Sequence, residues 1–315
     1  MKKYNQVRQV VFPLLAAFIW GTAFVAQGMC RDIGPMTFNA ARSYIAVVVL
    51  LLIIWLFGRF RKENTASATA AEKKTARRQL IIGGLCCGTA LAVASNFQQA
   101  GIVDGTDEGK AAFITALYVV LVPLLGLFLK KKVPLPVWIA VVLAVPALFL
   151  LCVVKDGKSF LEHGFSLEAS DLMILLCAFF FAIHILIIDH FSDTVDGMKL
   201  SCAQFFVAAV LSTIGALIWE KPDLNALLSV AIPVLYVGIF SSGVAYTLQI
   251  LAQKDTNPTV VTILLSMESV FGVISNALIQ HKWLSGWEYL GCALMLVAVI
   301  LAQIQFPSKK KQAVN

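Results

Sequence analysis

Ten long apolar runs, separated by short polar segments, make up most of the chain. An α-helix rises 1.5 Å per residue, so about 20 apolar residues span the roughly 30 Å hydrocarbon core of a bilayer. Each run is long enough to do so. The pattern predicts an all-α polytopic membrane protein with ten transmembrane helices, at residues 10–29, 36–58, 79–103, 111–129, 135–154, 170–189, 198–219, 229–251, 258–280 and 286–305.

The fourth run, within the stretch from Gly109 to Lys132, predicts one membrane-crossing helix that ends at three lysines. Pro123 lies inside it, where it removes a backbone donor and leaves the carbonyl one turn earlier without its helical partner. In lipid, such a carbonyl must find a neighbouring helix or water. The proline therefore favours a position inside a helix bundle.

Composition agrees with a membrane protein, because 59% of the residues are hydrophobic and only 14% are charged, against about 25% in a soluble domain. The net charge of +7 does not predict a nucleic-acid partner, since the basic residues lie between apolar runs. Seven cysteines without C-x-x-C spacing indicate neither a metal site nor a disulfide framework. Without a P-loop, H-E-x-x-H or G-x-S-x-G motif, we expect no cofactor and no enzyme activity.

The distribution of lysine and arginine predicts the orientation of the chain. When alternate loops are assigned to opposite sides, one side receives 18 basic residues and the other receives 6. Basic loops stay in the cytoplasm, so both termini are predicted to be cytoplasmic and the protein to lie in the cell (cytoplasmic) membrane. Residues 307–315 are predicted to form a basic cytoplasmic tail. The longest loop, 59–79, has a composition that need not fold.

The two halves of the chain correspond residue by residue, which predicts an internal repeat with units at 1–155 and 170–306. Corresponding pairs are Ala17 with Ala178, Phe18 with Phe179, Trp20 with Phe181, Gly21 with Ala182, Arg42 with Gln204, Ala46 with Ala208, Gly88 with Gly243, Ala90 with Ala245, Gly126 with Gly272, and Ala140 with Gly291. Each half holds five runs, an odd number, so the second half must enter the membrane from the opposite side. Inverted repeats are typical of secondary transporters; a duplicated scaffold that does not transport is the alternative.

Four motifs resemble those of the EamA-type members of the drug/metabolite transporter superfamily. They are W-G-x-x-F at Trp20 to Phe24, A-A-R at Ala40 to Arg42, G-K-A-A-F-I-T-x-L-Y-V-V-L-V-P at Gly109 to Pro123, and M-E-S-V-F-G at Met267 to Gly272. The resemblance covers both halves and implies a ten-helix inverted repeat, a central cavity, and export or exchange of small metabolites, often amino acids or related compounds. In one place the chain departs from the family. Ser269 follows Glu268 where the family commonly has Glu-Pro, so the proline that would break the ninth helix is absent.

Glu268 is the first candidate for a functional residue. It lies ten residues past Pro258, about 15 Å along the helix and near the bilayer midplane. An acidic side chain at this depth costs about 2.5 to 3.5 kcal/mol, so it should face a cavity, pair with a cation or carry a proton. The alternative is a protonated glutamate that hydrogen-bonds across a helix interface.

Arg42 is the second candidate. It lies seven residues past Pro35, about 10 Å into the second helix. It either anchors the helix by reaching the headgroups or meets a substrate carboxylate or an acid in a cavity. Gln204, at the corresponding repeat position, is neutral, so only one half carries this charge.

Further candidates are polar residues within the runs. Small residues at helical spacing (Gly84, Gly88 and Ala92; Gly238, Ser242 and Ala245) predict close helix packing. The uncharged polar cavity candidates are Asn96, Gln99, Thr115, Tyr118, Tyr246, Gln249 and Ser266. Trp20 either packs in the bundle or stacks on a ligand. His184 is a minor candidate for a polar contact, and its spacing from Asp189 and His190 does not favour a metal site.

Together these observations predict a secondary transporter of small metabolites that works by alternating access, with export as the expected direction and proton coupling through Glu268 as a further hypothesis. Its expected partners are a small-molecule substrate and membrane lipid. The alternative is a membrane-embedded enzyme or a non-transporting receptor on the same scaffold.

Overall fold

The structure is a computed structural model, and it describes residues 2–60, 70–106, 108–131, 133–152, 168–254, 256–280, 283 and 285–303. These residues form helices and no strand. The helices are α1 (Lys2–Gly28), α2 (Pro35–Phe60), α3 (Ala70–Val103), α4 (Glu108–Ala116), α5 (Tyr118–Phe128), α6 (Leu135–Cys152), α7 (Ala169–Phe191), α8 (Gly197–Trp219), α9 (Leu224–Ser229), α10 (Ala231–Tyr236), a π-helical segment (Val237–Ala245), α11 (Tyr246–Gln253), α12 (Pro258–Leu265), α13 (Met267–Gln280) and α14 (Gly286–Gln303). The tail predicted at 307–315 lies outside the described residues.

Within these residues, eight helical stretches are long and apolar enough to cross a membrane. They are Arg8–Gly28, Pro35–Leu56, Ala71–Val103, Glu108–Phe128, Ala169–Phe191, Gly197–Trp219, Ala231–Gln253 and Pro258–Ile279. The fifth and tenth predicted runs form shorter apolar helices, Leu135–Leu150 and Gly286–Leu301. The all-helical membrane architecture is therefore confirmed, and the count of ten crossings stays a prediction.

One face of α2 shows how the bundle meets lipid. Val48, Leu51, Leu52 and Trp55 are all more than half exposed, although bulky apolar side chains are normally buried in a soluble protein. Leu50, on the opposite face of the same helix, is buried. This arrangement is typical of a helix between lipid and protein.

Two of the predicted helices are broken near the middle. The fourth run forms one membrane-length helical stretch, Glu108–Phe128, as predicted, with a local break at Leu117 between α4 and α5. Pro123 does not cause the break, because it lies inside α5. The ninth run is interrupted at Ser266, although Ser269 replaces the proline of the family motif. Here the chain breaks without a proline.

The eighth run contains a π-helical segment, Val237–Ala245, between two short α-helices. π-Helical geometry is rare and is frequently found at functional sites. The third run differs from the prediction at its start, because α3 begins at Ala70, nine residues before the predicted start of the run. Part of the 59–79 loop, whose composition did not require it to fold, is therefore helical.

Helices of the first half pack mainly against helices of the second half. The principal pairs are α1 with α13, α2 with α8, α3 with α7 and α8, and α6 with α14. Glycines allow this: a Cβ at Gly88 would lie 2.6 Å from the Gln204 carbonyl oxygen, and one at Gly84 would lie 2.7 Å from the Ala203 Cβ. The predicted packing role of the glycines in α3 is confirmed.

Contacts at the helix ends show that α2 and α8 are antiparallel. Glu220, which follows α8, accepts hydrogen bonds from the backbone N–H groups of Met36 and Thr37, both at 2.8 Å, at the start of α2. The Thr37 hydroxyl donates to the same carboxylate at 2.7 Å. These two helices are the second of each half, so equivalent helices run in opposite directions.

Ion pairs mark the two ends of the bundle. At one end, here the Arg31 end, Arg31 pairs with Glu108 at 2.8 Å and Lys110 pairs with Asp171 at 2.5 Å. At the other, here the Lys131 end, Lys131 pairs with Asp189. Both ends are therefore tied by contacts between segments distant in sequence.

Candidate functional site

A small cavity lies between the two halves. Both halves line it, and it is here named the central cavity. Its lining residues are Trp20, Phe24, Gln27, Arg42, Gln98, Thr115, Tyr118, Phe181, Ile185, Ser241, Tyr246, Gln249, Leu265 and Glu268.

The lining residues of the central cavity come from different depths of the bundle. Gln27 is one residue from the end of α1 and Gln98 is five residues from the end of α3, both at the Arg31 end. Ile185 is six residues before the end of α7 and Gln249 is four residues before the end of α11, both at the Lys131 end. The cavity therefore lies within the bundle between its two ends.

The two helix breaks hold the acidic residue. Tyr118 begins α5 and Glu268 lies in the first turn of α13. The Tyr118 hydroxyl donates to Glu268 Oε1 at 2.9 Å, and both side chains are buried. The two breaks thus lie beside the hydroxyl group and the carboxyl group that meet inside the bundle.

Arg42 faces the central cavity instead of the membrane surface. Its side chain is only 3% exposed, and its guanidinium interacts electrostatically with the Tyr246 hydroxyl. The guanidinium also lies 5.8 Å from the centre of the Phe38 ring. The interpretation of Arg42 as an anchor that reaches the headgroups does not agree with this position.

The acid and the base of the cavity do not pair with each other. Among the described residues, no ion pair joins Arg42 to Glu268; the guanidinium lies near Tyr246 and Phe38, and the carboxyl group accepts a hydrogen bond from Tyr118. An acid and a base therefore face one cavity from different helices. Such a pair can bind the two charged ends of one small molecule.

Aromatic rings form much of the remaining wall. The Trp20 ring packs against Tyr246 with centroids 4.7 Å apart, and its Nε1 donates to the Ser241 carbonyl at 3.3 Å. Trp20 thus packs in the bundle and lines the cavity as well. The Ser241 carbonyl belongs to the π-helical segment, which gives that segment a place in the site.

Two buried amide oxygens of the central cavity lack a hydrogen-bond partner within the described part of the chain. They are Gln27 Oε1 and Gln249 Oε1. A buried polar atom without a partner costs about 1 to 3 kcal/mol. A donor group on a ligand, or water, would satisfy both. By contrast, Gln98 Nε2 donates to the Thr115 hydroxyl at 3.1 Å.

Seven of the sequence candidates line the central cavity and four do not. Those in the lining are Trp20, Arg42, Thr115, Tyr118, Tyr246, Gln249 and Glu268. The others lie between helices: Asn96 bonds Asn39 and Ser212, Gln99 donates to the Gln27 carbonyl, His184 bonds Gln204, and the Ser266 hydroxyl donates to the Ile263 carbonyl. Their contacts join helices or satisfy the backbone.

Sequence reasoning missed several lining residues, of which Gln27, Gln98 and Ser241 have polar side chains. Gln27 shares one helical face with Trp20 and Phe24, because spacings of three and four residues bring side chains together. That periodicity was a usable signal. Gln98 is adjacent to Gln99 in the sequence, and only the packing of α3 against its neighbours decides which one faces the cavity.

A family model for the EamA-like transporter family matches residues 8–153 and, separately, residues 169–303. The chain belongs to the EamA-like transporter family. This EamA-like chain is accordingly a multi-pass membrane protein, and the resemblance predicted from its motifs is confirmed.

Relatives of this EamA-like protein agree along nearly its whole length. An uncharacterized transporter of Archaeoglobus fulgidus is 29% identical and covers 92% of this chain and 84% of its own. Uncharacterized transporters of Bacillus subtilis and Synechocystis sp. are 26% and 24% identical. A solved crystal structure with a TM-score of 0.74 covers 94% of this chain and 96% of its own, at 15% identity, and shows the fold alone.

Proposed function

We propose that this protein is a secondary transporter of small metabolites, amino acids or related compounds, which it exports by alternating access. The observation that carries the proposal is the central cavity, which both halves line and which holds one buried acid and one buried base. Charged residues inside a membrane bundle typically mark substrate or ion pathways. Membership of a transporter family supports the same function.

The proposed architecture has ten membrane crossings in two inverted units, 1–155 and 170–306. The antiparallel contact between α2 and α8 supports inversion, because these are equivalent helices of the two units. Inverted units typically rock against each other around a fixed site. Both termini would face the cytoplasm, which makes the Arg31 end the outer end and the Lys131 end the inner end.

A zwitterion fits the chemistry of the cavity. The Arg42 guanidinium would bind a carboxylate through charge-assisted hydrogen bonds. An ammonium group would donate to Glu268 and to the free amide oxygens of Gln27 and Gln249. The rings of Trp20 and Tyr246 would pack against an apolar side chain.

Glu268 also provides a route to proton coupling. A carboxyl group at this depth can bind either a proton or the ammonium group of a substrate, but not both at once. Competition between the two would link export of the metabolite to entry of a proton. The bond from Tyr118 persists in either state, since a hydroxyl can donate to a neutral or an ionised carboxyl group.

The test is flux in liposomes that contain the purified protein. Liposomes are loaded with unlabelled L-amino acids and diluted into a medium with the radiolabelled mixture, so that a carrier exchanges label into the lumen. A transporter accumulates the labelled compound unaltered inside the liposomes, and an enzyme converts it. A receptor only binds it, in an amount proportional to the amount of protein. Conversion, or label no higher than in protein-free liposomes, would contradict the proposal.

A further inference from the structure

The charges that line the central cavity restrict the charge of the solute. Among the described residues, the charged side chains in the lining are Arg42 and Glu268. The proposed function assigns the first to the carboxylate of the solute and the second to its ammonium group. A third charge on the solute would therefore find no partner of opposite charge in the lining. Because an unpaired buried charge is strongly unfavourable, the cavity favours a solute whose side chain is uncharged.

The same cavity has a contiguous apolar wall, formed by Phe181 and Ile185 of α7 and Leu265 of α12. All three residues belong to one packed cluster of buried apolar side chains. Trp20 of α1 packs against this cluster and also lines the cavity. Its one polar side-chain atom, Nε1, already donates to the Ser241 carbonyl. The wall can therefore stabilise an apolar side chain by dispersion contacts but provides no hydrogen bond to a polar one.

The two halves place apolar side chains in the cavity at equivalent positions. Trp20 and Phe181 correspond at a separation of 161 residues, and the same separation relates Phe24 to Ile185. All four side chains line the central cavity. An apolar side chain of the solute would therefore contact both proposed units at once.

Phe181 occupies space that a larger solute would need. Its side chain is 8% exposed. Its ring packs edge-on against the ring of His184, which is fully buried, with centroids 6.5 Å apart. Protein interiors are close-packed, so the Phe181 ring has little room to withdraw from the cavity. The volume of this ring therefore limits the side chain that the small cavity accepts.

We propose that the transported solute is an amino acid with one carboxylate, one ammonium group and an apolar side chain, and that Phe181 limits the size of that side chain. The inference rests on the proposed transport function and deepens it by naming the substrate class. Acidic and basic amino acids are rejected because of their third charge. The largest apolar side chains are rejected because of the Phe181 ring.

Exchange of single amino acids into liposomes tests the substrate class. Liposomes with the wild-type protein are loaded with one unlabelled amino acid, and exchange of the same labelled compound is followed for L-valine, L-leucine, L-tryptophan, L-aspartate and L-lysine. We expect kcat/KM for L-aspartate and for L-lysine to be about 100-fold below that for L-leucine, because each carries an unpaired charge into the bundle. A difference of less than tenfold for either compound overturns the substrate class. Absence of exchange for every L-amino acid overturns the transport function instead.

Phe181→Ala tests the size limit, with Phe113→Ala as the matched control. Phe113 is 6% exposed and lies on α4, outside the cavity lining. We expect Phe181→Ala to raise the ratio of L-tryptophan exchange to L-valine exchange about tenfold, since pocket volume discriminates between apolar side chains, and Phe113→Ala to leave it unchanged. Both rates come from one preparation, so their ratio does not depend on the amount of folded protein.

If Phe181→Ala does not fold, Phe181→Leu replaces it, and the ratio should rise by about threefold, because less volume is released. An unchanged ratio in the variant that folds, or an equal change in Phe113→Ala, overturns the role of Phe181. Neither result affects the transport function, which the wild-type exchange tests separately.

Discussion

Gly21→Ala is expected to disturb the contact that positions Glu268. Gly21 of α1 lies against the first turns of α13, and a Cβ there would be 2.6 Å from both the Glu268 carbonyl oxygen and the Gly272 backbone nitrogen. Ordinary contact begins at 3.4 Å. The two helices would have to separate by about 0.8 Å to reach it. Both neighbouring atoms belong to the backbone, so no side-chain rotation relieves the overlap.

The separation has an energy that a stability measurement can detect. Overpacking a dense core costs about 1 to 3 kcal/mol, while alanine in place of glycine in a helix returns about 0.5 to 1 kcal/mol. We expect net destabilisation of up to about 2.5 kcal/mol from these opposing effects. Thermal unfolding in detergent, followed by the fluorescence of the six tryptophans, measures it. Transport flux should also fall, because a displaced α13 would move the Glu268 carboxyl group away from the Tyr118 hydroxyl.

Gly126→Ala is the matched control. A Cβ at Gly126 would meet no atom closer than 3.8 Å, the Lys131 Cβ. The substitution should stabilise α5 by about 0.5 to 1 kcal/mol. If Gly21→Ala is as stable and as active as Gly126→Ala, the close contact between α1 and α13 does not exist and the reasoning fails.

Three further predictions concern residues that join the halves. Glu220→Ala should lower the free energy of unfolding by about 1 to 3 kcal/mol, since it removes the acceptor for the first N–H groups of α2. Glu220→Gln should lower the free energy of unfolding by less. An unchanged denaturant midpoint in both variants would show that the contact does not stabilise the protein. Asp171→Ala, which removes a buried partner of Lys110, should lower the free energy of unfolding by about 3 kcal/mol. A thermal midpoint equal to that of the wild-type protein would contradict this prediction. Tyr118→Phe should change the rate or apparent affinity of flux about tenfold, by removing one hydrogen bond to a carboxyl group. Wild-type kinetics would show that this bond has no role.

Most of the membrane architecture was predictable because it depends on composition and length alone. An apolar run of about 20 residues has few other stable outcomes in lipid. The depth of Glu268 and Arg42 followed from simple counting along each helix. That both line one cavity depended on the fold, since the two residues are far apart in the chain.

The break at Ser266 was not predictable, because no proline or glycine stands there. It occurs where the following helix meets Gly21 of α1, so tertiary packing, and not local propensity, accounts for it. The same reason applies to Asn96. Its helical stripe was correct, but that face of α3 meets α2 and α8 rather than the cavity, and Asn96 bonds Asn39 and Ser212 there.

The central claim is that the buried acid of the cavity contacts the transported solute or its coupling proton. Flux of labelled L-amino acids is measured in liposomes with Glu268→Gln, with Glu288→Gln as the control, because Glu288 is a second buried glutamate outside the cavity. The account predicts that Glu268→Gln folds normally and loses flux or its dependence on pH, and that Glu288→Gln retains both. Wild-type flux and pH dependence in Glu268→Gln would contradict the account.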